Sequence, residues 1–194
     1  MSEIKTPFTG NEDADRLLSA NPLALMIGML LDQQVTMEFA FGVPLVLEQR
    51  LVEIDVLLDA TAIAALSDAQ VDEIFRLRPA LHRFPGSMGQ RTHALCGYLV
   101  EHHDGRAEAV WEGVTDGAEL LRRVEALPGF GTAKARIFVG VLGKRLGVRP
   151  KGWEHAAADW ASIADVDTFA RIGEIRDAKR AAKAQKKTVT KARP

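Results

Sequence analysis

The chain has 194 residues, of which 47% are hydrophobic and 26% are charged, and its 25 Lys and Arg residues nearly balance 26 Asp and Glu residues. This length fits one domain, with or without a tail, and the composition is that of a protein with a real hydrophobic core. The single cysteine, Cys96, excludes an internal disulfide, a four-cysteine zinc site and a cysteine-bound iron–sulfur cluster. A net charge of −1 gives no reason by itself to expect a polyanionic partner.

The net charge hides an asymmetry along the chain. Removing the seven basic charges of residues 178–194, which contain no acidic residue, leaves −8 for residues 1–177. This terminal stretch has Val189 as its one large apolar residue, so it cannot bury enough surface to fold alone. We predict a basic tail that passes from helix to disorder.

The N-terminal residues 1–19 are polar and acidic and contain no apolar signal region. The longest apolar stretch, around residues 23–31, is far too short to span a bilayer. We therefore expect a cytoplasmic protein that makes no contact with a membrane.

Helical signals follow one another from residue 21 onward, and no stretch shows the period-two alternation of a strand. Asn21-Pro22 is a helix start, because Asn caps the first turn and Pro fits its first position. Ser67-Asp68-Ala69-Gln70 is a capping box that starts another helix. Helices are also predicted over residues 36–53 with a kink or boundary at Pro44, 59–66, 67–77, 89–103, from Thr115 or Asp116 to 126, 132–146, and from near Asp167 onward, with loops at 84–87 and 147–152.

These signals predict an all-α fold in three parts. A polar N-terminal segment covers residues 1–19, one helical domain covers residues 20–177, and the basic tail covers residues 178–194.

The most informative segment is a tight connection between two predicted helices, Leu127-Pro128-Gly129-Phe130-Gly131. Two glycines around one apolar residue allow a sharp reversal of the chain. The helix that follows, from Thr132, begins with free backbone N–H groups and a positive dipole end, which suit an anion such as a DNA phosphate. Lys134 and Arg136 add positive charge just inside that helix. Taken alone, the same pattern also fits an ordinary helix connection with a glycine cap.

Leu127-Pro128-Gly129-Phe130-Gly131, followed by Ala135, resembles the helix–hairpin–helix of the base-excision DNA glycosylases, the superfamily of endonuclease III and the alkyladenine glycosylases. A second segment, Leu30-Leu31-Asp32-Gln33-Gln34-Val35-Thr36, resembles the family's early helix end that faces DNA. By this resemblance Gln34, with Gln33 beside it, probes the gap left by a flipped base. Without the resemblance, the two glutamines are simply polar residues at a helix end. The whole chain also resembles a small actinobacterial-type group of this superfamily.

The resemblance implies duplex DNA as the partner, a flipped base and hydrolysis of its N-glycosidic bond. The target base leaves the stack, and a carboxylate stabilises the positive charge that builds on the sugar. In the family an aspartate does this about two dozen residues after the hairpin proline, a position occupied here by Lys151. We therefore consider later carboxylates, with Asp165 first, Asp167 second and Glu154 third. Asp167 is equally suited to cap the last helix, and Glu154 to be a surface residue.

Two departures from the family narrow the expected chemistry. Bifunctional members carry a lysine two residues after the second hairpin glycine, where this chain has Ala133, so we expect no lyase activity. The cysteines that hold an iron–sulfur cluster in relatives of endonuclease III are absent. We predict no cofactor and no metal site.

The resulting hypothesis is a monomeric, monofunctional DNA glycosylase. Its predicted DNA-binding residues are Gln33, Gln34, Leu127, Pro128, Gly129, Phe130, Gly131, Thr132 and Lys134, and its predicted catalytic residues are Asp165, Asp167 and Glu154. One alternative is a non-catalytic helix–hairpin–helix module that binds DNA. The other is a helical interaction protein without a DNA role.

Overall fold

The computed structural model describes residues 3–178 and 180–181, and this part of the chain is all-helical, which confirms the predicted all-α class. The helices are α1 Glu12–Ala20, α2 Pro22–Leu31, α3 Met37–Val52, α4 Ala60–Ala64, α5 Asp68–Arg76, α6 Pro85–His103, α7 Gly117–Glu125, α8 Thr132–Arg145, α9 Trp153–Ala156 and α10, residues 171–178. Short 3-10 turns cover Ala107–Val110 and Ile163–Asp165. An isolated parallel bridge joins Asp116 to Lys151.

Side-chain caps start several helices at the residues that the sequence indicated. The Asn21 side chain accepts hydrogen bonds from the N–H groups of Leu23 and Ala24. Ser67 and Gln70 form the predicted capping box of α5. Of the two candidates for the start of α7, Asp116 is the cap. These starts are local events, which is why local sequence predicts them.

The core is built around α2, in which residues 23–31 are all buried. Gly28 lets α3 approach closely, because a Cβ at this position would lie 2.6 Å from Cδ1 of Phe41. Within the described residues no single helix is long and apolar enough to cross a membrane. Helices α1 and α2, which are bent relative to each other, reach the length and apolar content of a membrane span only when they are counted together. Residues 23–31 of α2 are buried in the core.

Packing begins before the predicted domain boundary at residue 20. Phe8 is fully buried and meets Phe41 edge-on, with 5.0 Å between ring centroids. The carboxylate of the buried Asp15 accepts hydrogen bonds from the backbone N–H groups of Phe8 and Thr9. Residues 3–19 therefore include α1 and form part of the same core.

Two element boundaries differ from the prediction. Helix α6 begins at Pro85, inside the segment 84–87 predicted as a loop, because Pro suits the first position of a helix. The last helix begins at residue 171 and not near Asp167, because a 3-10 turn and a further connection come first. Residues 179 and 182–194 of the predicted tail lie outside the described residues.

Candidate nucleic-acid interface

The hairpin between α7 and α8 has an inner and an outer side. Leu127 and Phe130 are buried, and Phe130 contacts Phe138 edge-on at 5.6 Å, so these two residues anchor the turn in the core. Gly129 has a φ of +84°, and a Cβ there would lie 2.4 Å from Cδ1 of Leu30. Glycine is therefore required at this position, both for backbone conformation and for contact with α2.

The outer side of the hairpin is the exposed start of α8. Gly131, Thr132 and Ala133 are exposed, and Gly131 is the N-cap with no side-chain hydrogen bond to the first turn. Side chains cap α1 to α5 and α7, whereas α6 and α9 also lack a side-chain cap. The first N–H groups of α8 therefore donate no hydrogen bond to a cap side chain, and the positive end of the helix dipole lies at exposed residues.

Lys134 joins the hairpin helix to α2. Its ammonium donates hydrogen bonds to the carbonyls of Met29 and Leu30, both at 2.7 Å, and so satisfies acceptors at the C-terminal end of α2. Burial lowers the pKa of Lys134 to about 8, although the nearby Asp32 carboxylate opposes this shift. Lys134, predicted to add charge beside a phosphate, instead lies between the two segments that carry the family resemblance. It brings them together although they are far apart in the sequence.

The two glutamines of the α2–α3 loop have different surroundings. The Gln33 amide donates to the carbonyl of Leu30 at 2.8 Å, and its Oε1 accepts from Nη1 of Arg91 at 3.1 Å. Gln34 is exposed and has a φ of +58°, which is uncommon for a residue other than glycine. Gln33 therefore holds the loop in place, and Gln34 is the glutamine presented to solvent.

His82 is a positioning residue that the sequence did not reveal. Its Nδ1 accepts a hydrogen bond from the N–H of Phe84 at 3.1 Å, so its Nε2 carries the proton and donates to the carbonyl of Gln33 at 3.1 Å. Burial lowers the pKa of His82, and the nearby Arg83 and Lys134 lower it further. A neutral, buried imidazole thus fixes the glutamine loop to the α5–α6 connection. No periodicity predicts this contact, because it joins residues from different elements.

Asp165 lies at the end of α8 opposite to the hairpin. Its Oδ1 accepts from Nζ of Lys144 at 2.5 Å, and its Oδ2 accepts from the N–H of Ser162 at 2.9 Å. Burial alone raises the pKa of this carboxyl, but the hydrogen bonds outweigh burial and the pKa is lowered. Lys144 follows Thr132 by twelve residues, which is about 18 Å along a helix axis. Asp165 therefore caps a 3-10 turn and pairs with Lys144 there.

Asp167 and Glu154 also lie near the later part of α8. The carbonyl of Val166 accepts from Arg145, which places Asp167 beside the last residue of α8, where it pairs with Arg171 at 3.6 Å. Glu154 follows Trp153, whose ring covers Gly143 so closely that a Cβ there would lie 2.2 Å from it. The structure brings neither carboxylate to the hairpin, and Trp153 serves as a packing residue.

After α9 the chain returns to the beginning of α8. Arg136 donates to the carbonyl of Ala157 from Nη2 at 2.8 Å, and its own carbonyl accepts from the N–H of Ala158 at 2.9 Å. Asp159 then lies 3.8 Å from Arg136 with its side chain 80% exposed, and the Trp160 ring lies 5.3 Å from the guanidinium. Because Arg136 is one turn from Thr132, Asp159 lies on the hairpin side of α8. Asp32, whose charge acts on Lys134, is a second carboxylate on this side.

Within the described part of the chain, no group of three or more His, Cys, Asp and Glu residues could hold a metal ion.

No family model, curated protein or solved structure matches this chain. The resemblance to the glycosylase superfamily therefore stays a prediction from the residues quoted above.

Proposed function

We propose that this protein binds double-stranded DNA in base-excision repair, using the exposed start of α8 and the α2–α3 loop. The observation that carries the proposal is the Lys134 contact, because it joins the hairpin helix to the end of α2 beside Gln34. Two segments that resemble DNA-contacting parts of one superfamily thus form one surface. The exposed, uncapped start of α8 lies in the same surface.

Each part of this surface has a distinct role in the proposal. Backbone N–H groups at residues 131–133 bind a phosphate of one strand, which positions the duplex without reading its sequence. Gln34 projects from the adjacent loop and enters the space left by an unstacked base. Leu127, Phe130 and Lys134 support this surface from inside and do not touch DNA.

Hydrolysis of an N-glycosidic bond is the second candidate function, and the position of Asp159 favours it. A bound duplex on the hairpin would come close to this carboxylate, which can stabilise positive charge on a sugar and orient a water molecule. Asp165 is less suited to this role, because it already accepts hydrogen bonds from Lys144 and Ser162. Ala133 occupies the lyase position, so strand cleavage through a lysine is not expected.

The proposal is tested by placing a carboxylate at the N-cap of α8. Gly131→Asp fits the structure, because Gly131 has an extended backbone with φ −73° and a Cβ there meets nothing within 4 Å. We expect the free energy of unfolding to rise by a few tenths of a kcal/mol, since Asp caps better than Gly. DNA affinity should fall about tenfold, because the carboxylate occupies the phosphate site and repels the backbone. Fluorescence anisotropy of a labelled duplex measures the affinity.

Gly131→Asn and Gly131→Ala are the matched controls. Asn caps the helix as well as Asp but carries no charge, so its loss of affinity should be smaller. Ala neither caps nor repels, and should bind DNA as the wild type does. Equal affinity of all four proteins would contradict the hairpin as the binding site. Absence of salt-dependent DNA binding by the wild type would favour a helical interaction protein without a DNA role.

A further inference from the structure

A second basic surface lies in the α5–α6 connection and the first turns of α6. Residues 76–91 contain four arginines, Arg76, Arg78, Arg83 and Arg91, and no acidic residue. Residues 1–177 as a whole carry a net charge of −8, so this run stands against an acidic background. The predicted DNA-binding residues include none of these four arginines.

Two of these arginines form neither an ion pair nor a side-chain hydrogen bond with a described residue. Arg76 pairs with Asp72 at 2.6 Å, and Arg91 donates to Gln33. Arg78 and Arg83 are exposed, and within residues 3–178 and 180–181 neither forms an ion pair. They border an open depression, which is also lined by Arg76, Pro79, His82 and Pro85.

The orientation of Arg83 is partly fixed by its neighbour. Its guanidinium carbon lies 4.9 Å from the centroid of the Phe84 ring, which is itself 41% exposed. Stacking on a ring restricts the guanidinium while leaving its N–H donors directed to solvent. We call Arg78 and Arg83 together the arginine pair.

The glutamine loop contacts both the hairpin helix and the region that carries the arginine pair. Lys134 connects the hairpin helix to Met29 and Leu30, just before the loop. His82 and Arg91 connect the α5–α6 region to Gln33, inside the loop. The loop that carries the exposed Gln34 is therefore held by both the hairpin helix and the α5–α6 region.

We infer that the arginine pair binds phosphates of the DNA backbone other than the one bound at the hairpin. The inference rests on the proposed function and extends its DNA contact to a second stretch of backbone. A guanidinium presents parallel N–H donors that match a phosphate group, and two unpaired guanidinium groups would displace counterions from DNA. The hairpin contributes neutral N–H groups, so the arginine pair supplies the larger part of the salt dependence in the folded domain.

The test is the double variant Arg78→Gln/Arg83→Gln in the full chain. Duplex affinity is measured by fluorescence anisotropy from low to high salt, and the slope of log affinity against log salt concentration is compared. Loss of two phosphate contacts should reduce the magnitude of the slope by about 2. The control Lys5→Gln/Lys151→Gln removes the same charge from exposed residues on other elements, and its slope should equal that of the wild type.

The outcomes separate this inference from the proposed function. An unchanged slope in the arginine variant, together with weakened binding by Gly131→Asp, would overturn the arginine pair and leave the hairpin proposal standing. Equal slope changes in the arginine and lysine variants would also overturn it, because a general charge effect would then explain the loss. Absence of DNA binding by the wild type would overturn both.

Thermal unfolding provides the necessary check on the fold. The arginine pair makes no ion pair with a described residue, so the double variant should melt close to the wild-type temperature. If it does not, the single variant Arg78→Gln, which leaves the Arg83–Phe84 contact intact, should still reduce the magnitude of the slope by about 1. An unchanged slope in the single variant would then overturn a role for Arg78.

Discussion

Gln34 and Lys134 lie next to the contact between the hairpin helix and α2, but only Gln34 is exposed. Gln34 was the better match of the two glutamines, and it is the exposed one. Lys134 was predicted to lie beside a phosphate because it is basic and close to the hairpin, but its ammonium turns inward to two carbonyls of α2. Sequence spacing gives the position of a side chain along its helix. Its direction depends on acceptors that come from a segment about a hundred residues earlier.

Substitution of Asp159 and of Asp165 should have different effects. If the protein hydrolyses N-glycosidic bonds, Asp159→Asn should reduce release of free base at least a hundredfold, because an amide cannot stabilise positive charge on the sugar. Asp165→Asn should keep the rate and lose about 1 kcal/mol of stability through its contacts with Lys144 and Ser162. Release of free base from a panel of lesion-bearing duplexes measures the rate.

The contrary results are equally informative. If a well-folded Asp165→Asn protein no longer releases free base, Asp165, the first choice from the sequence, would be the catalytic carboxylate. If no lesion in the panel is processed while DNA still binds, the non-catalytic module is the better description.

At the scale of elements, local signals determine where helices begin, whereas long-range packing determines the path of the chain between them. Asn21 and Ser67 start helices as predicted, and Asp116 is one of the two caps predicted for α7, since a cap and its helix are adjacent in the sequence. The path after α8 was not predictable in the same way. Its course depends on Trp153 packing over Gly143 and on Arg136 holding residues 157 and 158, and neither contact has a periodic pattern. Counting residues from the hairpin therefore could not identify Asp159 as the carboxylate near the beginning of α8.

Two glycine-to-alanine substitutions test this account of the packing. Gly143→Ala should lower the free energy of unfolding by about 1–3 kcal/mol, because the new Cβ would lie 2.2 Å from the Trp153 ring. Gly97→Ala in α6 meets nothing within 4 Å and should raise it by about 0.5–1 kcal/mol. Urea denaturation followed by circular dichroism measures both. Equal effects of the two substitutions would argue against close packing of Trp153 on α8.

For the whole molecule, the distribution of charge is more informative than its sum. The net charge of −1 combines an acidic body with basic segments at residues 76–91 and 178–194. The second segment was identified from the sequence as a low-complexity tail, whereas the first is interrupted by apolar residues that fold into the domain. The structure distinguishes two of its arginines, because Arg78 and Arg83 are exposed and form no ion pair with a described residue.

Deletion of residues 178–194 is the prediction at this scale. Removal of seven basic residues should lower DNA affinity and flatten its salt dependence, without changing which lesion is preferred. A tail of the same length with its seven basic residues replaced by Gln should behave like the deletion. Salt titrations of duplex binding measure the effect. An unchanged slope would assign the tail a solubilising role.

If the protein binds DNA as proposed, the Lys134 contact also affects which DNA shapes it accepts. Because its ammonium binds two carbonyls of α2, the start of α8 and the glutamine loop have a set spacing. A duplex that engages both must place a phosphate and an opened stack at that same spacing. Bending and unstacking cost more free energy in undamaged, stiff DNA than at a mispaired or damaged step. A rigid protein surface can in this way select weakened sites by their flexibility, before any base is read.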